Sequence, residues 1–386
     1  MVTAMYSTWH LKRRLLCVRL DSAGNVLMTT PALNALKEAL PGRHLTLLTS
    51  PAGAHAARLV PALDEVIEFE APWMKQRGAD VASDRVLINR LAAGGYDAAV
   101  VFTAHSQSPL PAAYLVYLAG IRHCLAHCRE SPCHLLSDRV QDPEPQQRVR
   151  HEARRQLDLV ATTGAVPKSE ALSIAIPSVA RRRAAAALAT LRVPRDGPLV
   201  VAHVGAPAPS RRYPPYQFAE ALDLLVAEQR ARVVLTGDSN EVALVELVRG
   251  AMRTSAYTLA GCLDFAELCA VVEAADVLVS NNTAPVHIAA AVGTPVVDLY
   301  ALTSPQYVPW RVPYRVLYRD VSCRYCYQSV CPAGHHACLV GVKPAEVADA
   351  VRALLDCTFE PVRALLDALP GANLARRGAA RASASP

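Results

Sequence analysis

The feature that most constrains the fold is a regular alternation between two patterns. Short apolar runs typical of strands alternate with stretches in which apolar residues recur at helical spacing. Near the N terminus, Leu15–Leu20 is an apolar run typical of a buried strand. A polar turn at Asp21–Asn25 follows, and apolar residues at helical spacing predict a helix over Pro31–Leu40 that a Pro-Gly pair ends. A second strand is predicted at His44–Thr49. Strand, helix and strand in this order indicate a parallel βαβ unit.

The alternation continues to the C-terminal region in two series. In the first, further elements are predicted at Val66–Phe69, Ala98–Thr103, Ala112–Ala119 and His151–Thr163. In the second, they are predicted at Leu199–His203, Tyr216–Glu228, Arg232–Leu235, Val277–Ser280, Pro285–Val292, Thr294–Tyr300 and Ala345–Leu355. The two α/β series predict two Rossmann-like domains that face a central cleft, with ligands beyond the carboxyl ends of the strands.

A change of composition separates the two series. Residues 177–198 combine prolines, three consecutive arginines and an Ala-rich helical stretch, which is typical of an inter-domain connection. We therefore predict an N-terminal domain over residues 1–176 and a C-terminal domain over residues 199–370. The Ala-, Arg- and Ser-rich tail at residues 371–386 is predicted to be disordered.

Composition and charge limit the classes of function. Hydrophobic residues make up 52% of the 386 residues and the formal net charge is +6, which suits a globular protein with an anionic partner. No apolar run reaches the roughly 18 residues that cross a bilayer, and the N-terminal run is interrupted by charges, unlike a signal peptide. We expect a cytoplasmic protein. Without a long basic run or an aromatic-rich motif, no nucleic-acid partner is expected.

The segment from Val277 to Tyr300 is typical of an anion site. A polar turn separates a predicted strand from a helix that begins near Pro285, and free amides at a helix start bind anions. Thr283 adds a hydroxyl, Ala284 lets a phosphate approach the backbone, and His287 lies in the first turn. The alternative is an ordinary capped helix with His287 packed in the core.

Two loops carry complementary signals. Arg211 and Arg212 follow a loop of small residues, and guanidinium groups bind phosphate oxygens in a bidentate way, although an Arg-Arg pair is also common on solvated loops. Asp238 and Glu241 follow another predicted strand. Either carboxylate could accept hydrogen bonds from a ribose, or could simply cap the next helix.

Three motifs in this order resemble those of glycosyltransferase family 9. An N-terminal Gly-Asp-x5-Pro-Ala-Leu element is matched from Gly24 to Leu33, and a central His-x-Gly-Ala loop with an Arg-Tyr-Pro ending is matched from His203 to Pro214. A late Ser-Asn-Asp-Ser/Thr-Gly-Pro-x-His element is matched from Ser280 to Ala291. The resemblance implies a GT-B enzyme that transfers heptose from an ADP-sugar to a lipopolysaccharide core with inversion.

The resemblance also implies roles for individual residues. The donor side would consist of Gly205, Ser210, Arg211, Arg212, Glu241, Asn282, Thr283, Ala284, Pro285 and His287. The acceptor, a lipid-linked glycan, would approach beside Ser22 and Gly24. In this scheme Arg211 and the helix start at Pro285 neutralise the leaving diphosphate, so neither a cofactor nor a catalytic metal is predicted.

Two departures from the family pattern affect catalysis. The acidic residues of the first and last motifs are Asn25 and Asn282 here, and an amide cannot take the proton of an acceptor hydroxyl. Asp21 on the same loop is the nearest substitute, although it could equally be a turn residue. The departures leave a nucleotide-sugar-binding protein without catalysis as an alternative, and a nucleotide-sugar epimerase on the same architecture as another.

A cysteine-rich loop over residues 323–338 lies before the last predicted helix. Four closely spaced thiols could hold zinc tetrahedrally, or could be reduced or partly paired structural cysteines, and we assign no metal to them. They are Cys323, Cys326, Cys331 and Cys338.

The N-terminal segment offers a candidate membrane contact. Trp9 with Lys12, Arg13 and Arg14 could support peripheral docking at the cytoplasmic membrane, and a solvated basic run is the alternative.

Overall fold

The protein is described by a computed structural model that covers residues 9–74, 80–193 and 197–367. The predicted tail at 371–386 and part of the predicted connection at 177–198 lie outside these residues. Within the described residues, twelve parallel strands form two sheets of six, one on each side of that connection.

The first sheet belongs to the N-terminal half. Its strands are β1 Arg14–Arg19, β2 His44–Thr49, β3 Glu65–Glu68, β4 Ala98–Val101, β5 Cys124–Cys128 and β6 Asp138–Gln141. Their order is β3-β2-β1-β4-β5-β6, and Leu15 in β1 pairs with Leu45 on one side and Ala98 on the other. This is the Rossmann order, and its topological switch point lies between β1 and β4.

The second sheet repeats this order. Its strands are β7 Leu199–His203, β8 Arg232–Thr236, β9 Tyr257–Thr258, β10 Val277–Asn281, β11 Val296–Leu299 and β12 Tyr314–Leu317. They are arranged β12-β11-β10-β7-β8-β9, so the switch point lies between β7 and β10. The central strands are buried along their whole length, as expected of a parallel sheet covered on both faces. The prediction of two Rossmann-like α/β domains is confirmed.

Twelve α-helices lie within the described residues. In the N-terminal half they are α1 Ala23–Glu38, α2 Pro51–Ala57, α3 Val81–Ala93, α4 Leu110–Leu118, α5 Glu152–Ala161 and α6 Ser178–Thr190. In the C-terminal half they are α7 Pro215–Gln229, α8 Val242–Ala251, α9 Phe265–Glu273, α10 Ala284–Val292, α11 Ala337–Val340 and α12 Pro344–Asp367. Helix α6 occupies the predicted connection, and Arg181 on it forms an ion pair with Glu273 at the end of α9. The residue boundaries of the domains stay a prediction.

The start of α1 differs from the sequence prediction. The turn expected at Asp21–Asn25 is wrong, because Gly24 and Asn25 already lie in the first helical turn and Pro31 lies inside the helix. Proline has no N–H for the carbonyl of Leu27, but the Thr30 hydroxyl donates to that carbonyl at 2.7 Å. This replacement bond lets the helix continue, and it brings Gly24 and Asn25 to the mouth of the cleft on a rigid element.

The N-terminal segment is fixed to the core rather than free for docking. Trp9 is buried at 2% exposure. The Arg43 guanidinium donates to the backbone carbonyls of Trp9, Lys12 and Leu36 at 2.7–2.9 Å. The proposed use of Trp9 in membrane docking is therefore wrong, because its ring packs inside the domain. In the part of the chain that the structure describes, no helix is long and apolar enough to cross a membrane.

Candidate active site

Five of the ten predicted donor residues meet the predicted acceptor side in one cavity between the two halves. Arg211 and Thr283 line the same space of about 140 Å³, which we call the transfer cavity. Its walls consist of Ser22, Gly24, Asn25, Met28, Arg211, Asn282, Thr283, Ala284, His287 and Tyr307. The first four come from the loop after β1 and from α1, and the others come from the C-terminal half. The cavity therefore lies where the carboxyl ends of the two sheets face each other.

The start of α10 supplies a polar backbone to this cavity. Thr283 is the N-cap residue, and its side chain makes no capping hydrogen bond to the helix. Pro285 lies in the first turn, and Gly293 ends the helix with a φ of +85° that favours glycine. A helix N-terminus carries partial positive charge, so this end of α10 is suited to an anion.

Asn281, which the sequence analysis did not single out, ties this helix start to the arginine-bearing loop. Its side-chain oxygen accepts the Tyr213 N–H at 2.9 Å, and its amide donates to the Val204 carbonyl at 2.8 Å. Asn281 is completely buried at the end of β10. A buried amide with both ends bonded fixes the loop after β7 against α10.

The two arginines of the predicted pair have different positions. Arg211 closes a short 3-10 turn and reaches the transfer cavity. Arg212 instead donates from its Nε to the Ala206 carbonyl at 2.8 Å, so it braces the loop. Ser210 is buried, and its hydroxyl donates to the Gln328 carbonyl at 2.8 Å. Ser210 therefore connects this loop to the cysteine-rich segment.

A second cavity of about 480 Å³ lies beside the transfer cavity, and we call it the nucleotide cavity after the ligand predicted from the sequence. Thr283 and Ala284 line both spaces, so the two are neighbours. The other walls are His55, His203, Pro207, Thr236, Gly237, Asp238, Glu241, Leu263, Asp264, Phe265, Leu268 and Pro285. Its size and its apolar walls with a few polar groups are typical of a small-molecule site.

Glu241 is the main acidic group of the nucleotide cavity. It is 8% exposed, and its carboxylate accepts the Asp238 N–H at 3.0 Å. Burial raises the pKa of Glu241 above its usual value. Burial also lowers the pKa of His203 to about 4, so the two side chains, 3.6 Å apart, do not form an ion pair at neutral pH. A β-carbon on Gly205 would overlap the Glu241 carboxylate, which explains the glycine there.

The sequence analysis missed the apolar wall of the nucleotide cavity. His55 comes from α2 of the N-terminal half, and Phe265 begins α9. The helix start was readable, because Asp264 and Glu267 form a capping box. The position of His55 in this wall could not be predicted from the sequence, since it depends on how the two halves face each other.

Asp21, the predicted substitute base, lies next to the transfer cavity rather than in its wall. Its carboxylate pairs with the Arg19 guanidinium at 2.9 Å and accepts from the Gln107 amide at 2.5 Å. Arg19 is completely buried and also bonds Glu152 at 2.8 Å. These contacts fix the orientation of the Asp21 carboxylate at the end of β1.

Two further cavities extend from Asp21 across the N-terminal half. The larger, of about 520 Å³, shares Ser22 and Asn25 with the transfer cavity. The smaller, of about 260 Å³, adjoins it along Asp21 and Trp73. Trp73 is 40% exposed, and its ring contacts Phe69 edge to face. An exposed tryptophan beside polar groups is a suitable surface for one face of a sugar ring.

His287 and Asn282 are buried in the wall of the transfer cavity. Burial lowers the pKa of His287 to about 3, so the imidazole is neutral at pH 7. It would therefore interact with an anion through its dipole and not through a net charge. Asn282 donates to the Asp298 carboxylate at 2.8 Å and to the Tyr307 carbonyl at 2.9 Å. Asp298 is completely buried, and burial raises its pKa well above the usual value.

The cysteine-rich loop packs against the loop that carries Ser210 and Arg211. Cys323, Cys326, Cys331 and Cys338 line one small cavity together with Ser210, His335 and His336. Among the described residues, no group of three or more cysteine, histidine or acidic side chains is arranged to hold a metal ion. Tyr327 of this loop lies 3.3 Å from His105 of the N-terminal half, so the loop contacts both halves.

Two Rossmann sheets with a shared cleft define the class of fold as GT-B, which comparison with solved structures confirms. The E. coli ADP-heptose lipopolysaccharide heptosyltransferase II superposes with a TM-score of 0.71 at 21% identity, covering 89% of this chain and 99% of that one. The family 9 glycosyl transferase of Veillonella parvula superposes with a TM-score of 0.74 at 20% identity, covering 89% and 97%.

The sequence comparisons identify the family. The profile of glycosyltransferase family 9 (heptosyltransferase) matches residues 85–337, and the chain belongs to this family. The lipooligosaccharide heptosyltransferase 2 of Haemophilus ducreyi is 26% identical over 296 residues, 72% of this chain and 82% of that protein. The lipopolysaccharide heptosyltransferase 2 of E. coli is 27% identical over 155 residues, 38% and 43% of the two chains. The chain is a glycosyltransferase, and the epimerase alternative is set aside.

Proposed function

We propose that this chain transfers heptose from an ADP-sugar to a lipopolysaccharide-core glycan, with inversion at the anomeric carbon. The observation that carries the proposal is the transfer cavity, in which Arg211 and Thr283 of the donor side face Asn25 of the acceptor side. The names of the relatives support the choice of heptose and of the core glycan, since they are heptosyltransferases of lipooligosaccharide and lipopolysaccharide.

The donor fits the two neighbouring cavities. The diphosphate would lie between the Arg211 guanidinium and the N-terminal end of α10, where both charge and backbone amides favour an anion. The nucleoside would fill the nucleotide cavity, and the Glu241 carboxylate would accept a ribose hydroxyl. This arrangement stabilises the negative charge that develops on the leaving diphosphate.

The acceptor would occupy the cavities that extend from Asn25 to Trp73. Its hydroxyl oxygen attacks the anomeric carbon, the bond from that carbon to the diphosphate oxygen breaks, and ADP leaves with the electron pair. The hydroxyl proton goes to the Asp21 carboxylate, which Arg19 and Gln107 hold in place. Trp73 would stack on an acceptor sugar beside this carboxylate.

The lipid anchor of such an acceptor would bring the chain to the cytoplasmic face of the inner membrane. Trp9 takes no part in that contact, because it is buried. The contact would therefore depend on the lipid anchor of the acceptor itself.

A ligand panel tests the donor. ADP and ADP-heptose should stabilise the full chain in thermal unfolding more than UDP-, GDP- or CDP-sugars, by about 2.7 kcal/mol at a hundred times the dissociation constant. Arg211→Ala should weaken ADP binding by about 1.5–3 kcal/mol, the range for hydrogen bonds to charged groups, and Arg211→Lys should restore part of it. The exposed Arg249, which pairs with Glu246, is the control for Arg211.

A turnover assay tests the reaction. ADP-heptose and core glycan should give a glycosylated product with inverted configuration. Donor binding without turnover on any core acceptor would contradict the proposal and favour a nucleotide-sugar-binding protein, the alternative that Asn25 and Asn282 leave open.

A further inference from the structure

A glutamine side chain joins the two strand ends at the switch point of the first sheet. Asp21 follows β1, and Gln107 lies in the loop that follows β4. The Gln107 amide donates from its Nε2 to Oδ1 of Asp21 at 2.5 Å. Because ligands of such sheets bind beyond the strand ends at the switch point, this hydrogen bond lies where a ligand is expected.

A tight turn fixes the orientation of the Gln107 amide. The backbone N–H of Gln107 donates to the Ala104 carbonyl at 3.0 Å, and its Oε1 accepts the Ala104 N–H at 3.1 Å. A reversed amide would place its oxygen against the Asp21 carboxylate and its N–H groups against another N–H. One orientation therefore satisfies both neighbours, with the nitrogen toward Asp21.

The amide nitrogen of Gln107 carries one hydrogen more than Asp21 uses. A side-chain amide has two N–H donors, and among the described residues only Asp21 accepts from this one. Gln107 is partly exposed, and it lines both acceptor-side cavities, of about 260 and 520 Å³, together with Asp21 and Trp73. Its second N–H is therefore available to a ligand in these cavities.

The pair of Gln107 and Asp21 matches two neighbouring hydroxyls. Oδ2 of Asp21 pairs with Nε of Arg19 at 2.9 Å, and each carboxylate oxygen can accept a further hydrogen bond. The oxygens of a vicinal diol are separated by about the length of a hydrogen bond, as are Nε2 of Gln107 and Oδ1 of Asp21. One hydroxyl can thus donate to Asp21 while its neighbour accepts from Gln107.

We propose that Gln107 selects the acceptor by binding the hydroxyl next to the one that attacks the donor. The acceptor is then a sugar with a vicinal diol at the reacting position, where Asp21 takes the proton and Gln107 holds the neighbouring oxygen. This inference rests on the proposed function and adds to it a residue that determines acceptor specificity.

Monodeoxy acceptors test the proposal with the full chain. The probes are the core glycan of the turnover assay and two analogues, each of which lacks one of the hydroxyls next to the glycosylated position. With the wild type, one analogue should react with a kcat/KM about 5- to 100-fold below that of the intact glycan, because the Gln107 N–H loses its partner. The other analogue should lose less.

Variants of Gln107 separate acceptor binding from a structural role. Gln107→Met and Gln107→Leu fill the space of the amide without donating a hydrogen bond. Both should use the intact glycan more slowly and should no longer prefer it to the discriminated analogue, whereas a purely structural role would slow both acceptors equally. Gln146→Met, at an exposed glutamine of the same domain, should keep the wild-type preference. ADP titration checks that each variant is folded.

Two results would overturn the inference and leave the proposed function intact. One is a wild type that uses both analogues as well as the intact glycan. The other is a preference for the intact glycan that persists in Gln107→Met or Gln107→Leu. If the wild type transfers no sugar to the intact glycan, the proposed function fails and the inference fails with it.

Discussion

A β-carbon on Gly24 would lie 2.9 Å from Cδ2 of His287, across the boundary between the two halves. It would also lie 3.6 Å from the Cα of Ala284, so α1 and α10 approach each other at their N-terminal ends. The glycine is needed here for close approach rather than for a turn, since it is already helical. His287 is buried.

Gly24→Ala is therefore expected to separate the two helices by a few tenths of an ångström and to misalign donor and acceptor. Misplacement on the scale of 1 Å can cost about 100-fold in rate, so we expect turnover to fall by at least about 10-fold with little loss of ADP affinity. Steady-state kinetics and ADP titration measure the two effects. Gly250→Ala in α8 is the matched control, because a β-carbon there meets nothing within 4 Å. Normal turnover in Gly24→Ala would show that the contact is not required.

The sequence predicted the fold where local patterns decide the structure. Strand β7 agrees residue for residue, because the apolar run Leu199–Ala202 and the following His203 form a strand that is buried along its whole length. The start of α1 was predicted at Pro31 because a proline in a helix usually lies in its first turn. The Thr30 hydroxyl, which replaces the hydrogen bond that Pro31 cannot donate, produces no recognisable sequence pattern. Trp9 was interpreted as exposed because the bonds that bury its segment come from Arg43, far along the chain.

Arg211 and Thr283 were predicted from loop chemistry, because ligands of such sheets bind beyond the carboxyl ends of the strands. The structure brings both residues to the transfer cavity, and their role in donor binding stays a prediction. His55 and Trp73 were not identified, because single aromatic side chains on short elements have no periodicity or motif. Their positions at the cleft follow from tertiary packing of the two halves.

The orientation of Asp21 leads to a prediction about the general base. Asp21→Asn keeps the shape of the side chain but removes proton acceptance, so kcat should fall by about 100-fold or more while the donor KM stays the same. The exposed Asp349→Asn is the control. In this variant the buried Arg19 loses one charged partner and keeps Glu152, and thermal unfolding checks that the protein stays folded. Unchanged kcat in Asp21→Asn would exclude Asp21 as the base.

Asn25 provides a second test of the same step. It lines the transfer cavity itself, so a carboxylate there would be closer to the reacting hydroxyl than Asp21 is. We expect the double variant Asp21→Asn, Asn25→Asp to have a kcat at least about 10-fold higher than that of Asp21→Asn alone, because one positioned base replaces another. Kinetics of the double variant measures this recovery. No recovery would indicate that the base acts only from the position of Asp21.

The raised pKa of Glu241 predicts how ADP binding depends on pH. Burial favours the protonated carboxyl, so Glu241 takes up its proton at a higher pH than an exposed glutamate does. A protonated Glu241 accepts a ribose hydroxyl less well, and ADP affinity should fall as the pH decreases through that pKa. Titrations of the wild type and Glu241→Gln across this range isolate the effect, because the diphosphate titrates equally in both. Parallel pH profiles for the two proteins would contradict the prediction.

The contact between Asn282 and the buried Asp298 carboxylate favours an amide rather than an acid at position 282. Asn282→Asp would place two carboxylates within about 3 Å in a site without solvent, where the amide now donates at 2.8 Å. We expect this variant to lose about 3–5 kcal/mol of unfolding free energy at pH 7, as for an unpaired buried charge.

Asn282→Asp combined with Asp298→Asn restores one donor and one acceptor and should recover most of that loss. The acids' folded-state pKa values would lie above their unfolded values near 3.9, so the deficit of the single variant should shrink as the pH falls toward 4. Urea unfolding at pH 7 and pH 4 measures both expectations. A single variant as stable as the wild type at pH 7 would mean that Asp298 already carries the proton and donates it to the new carboxylate.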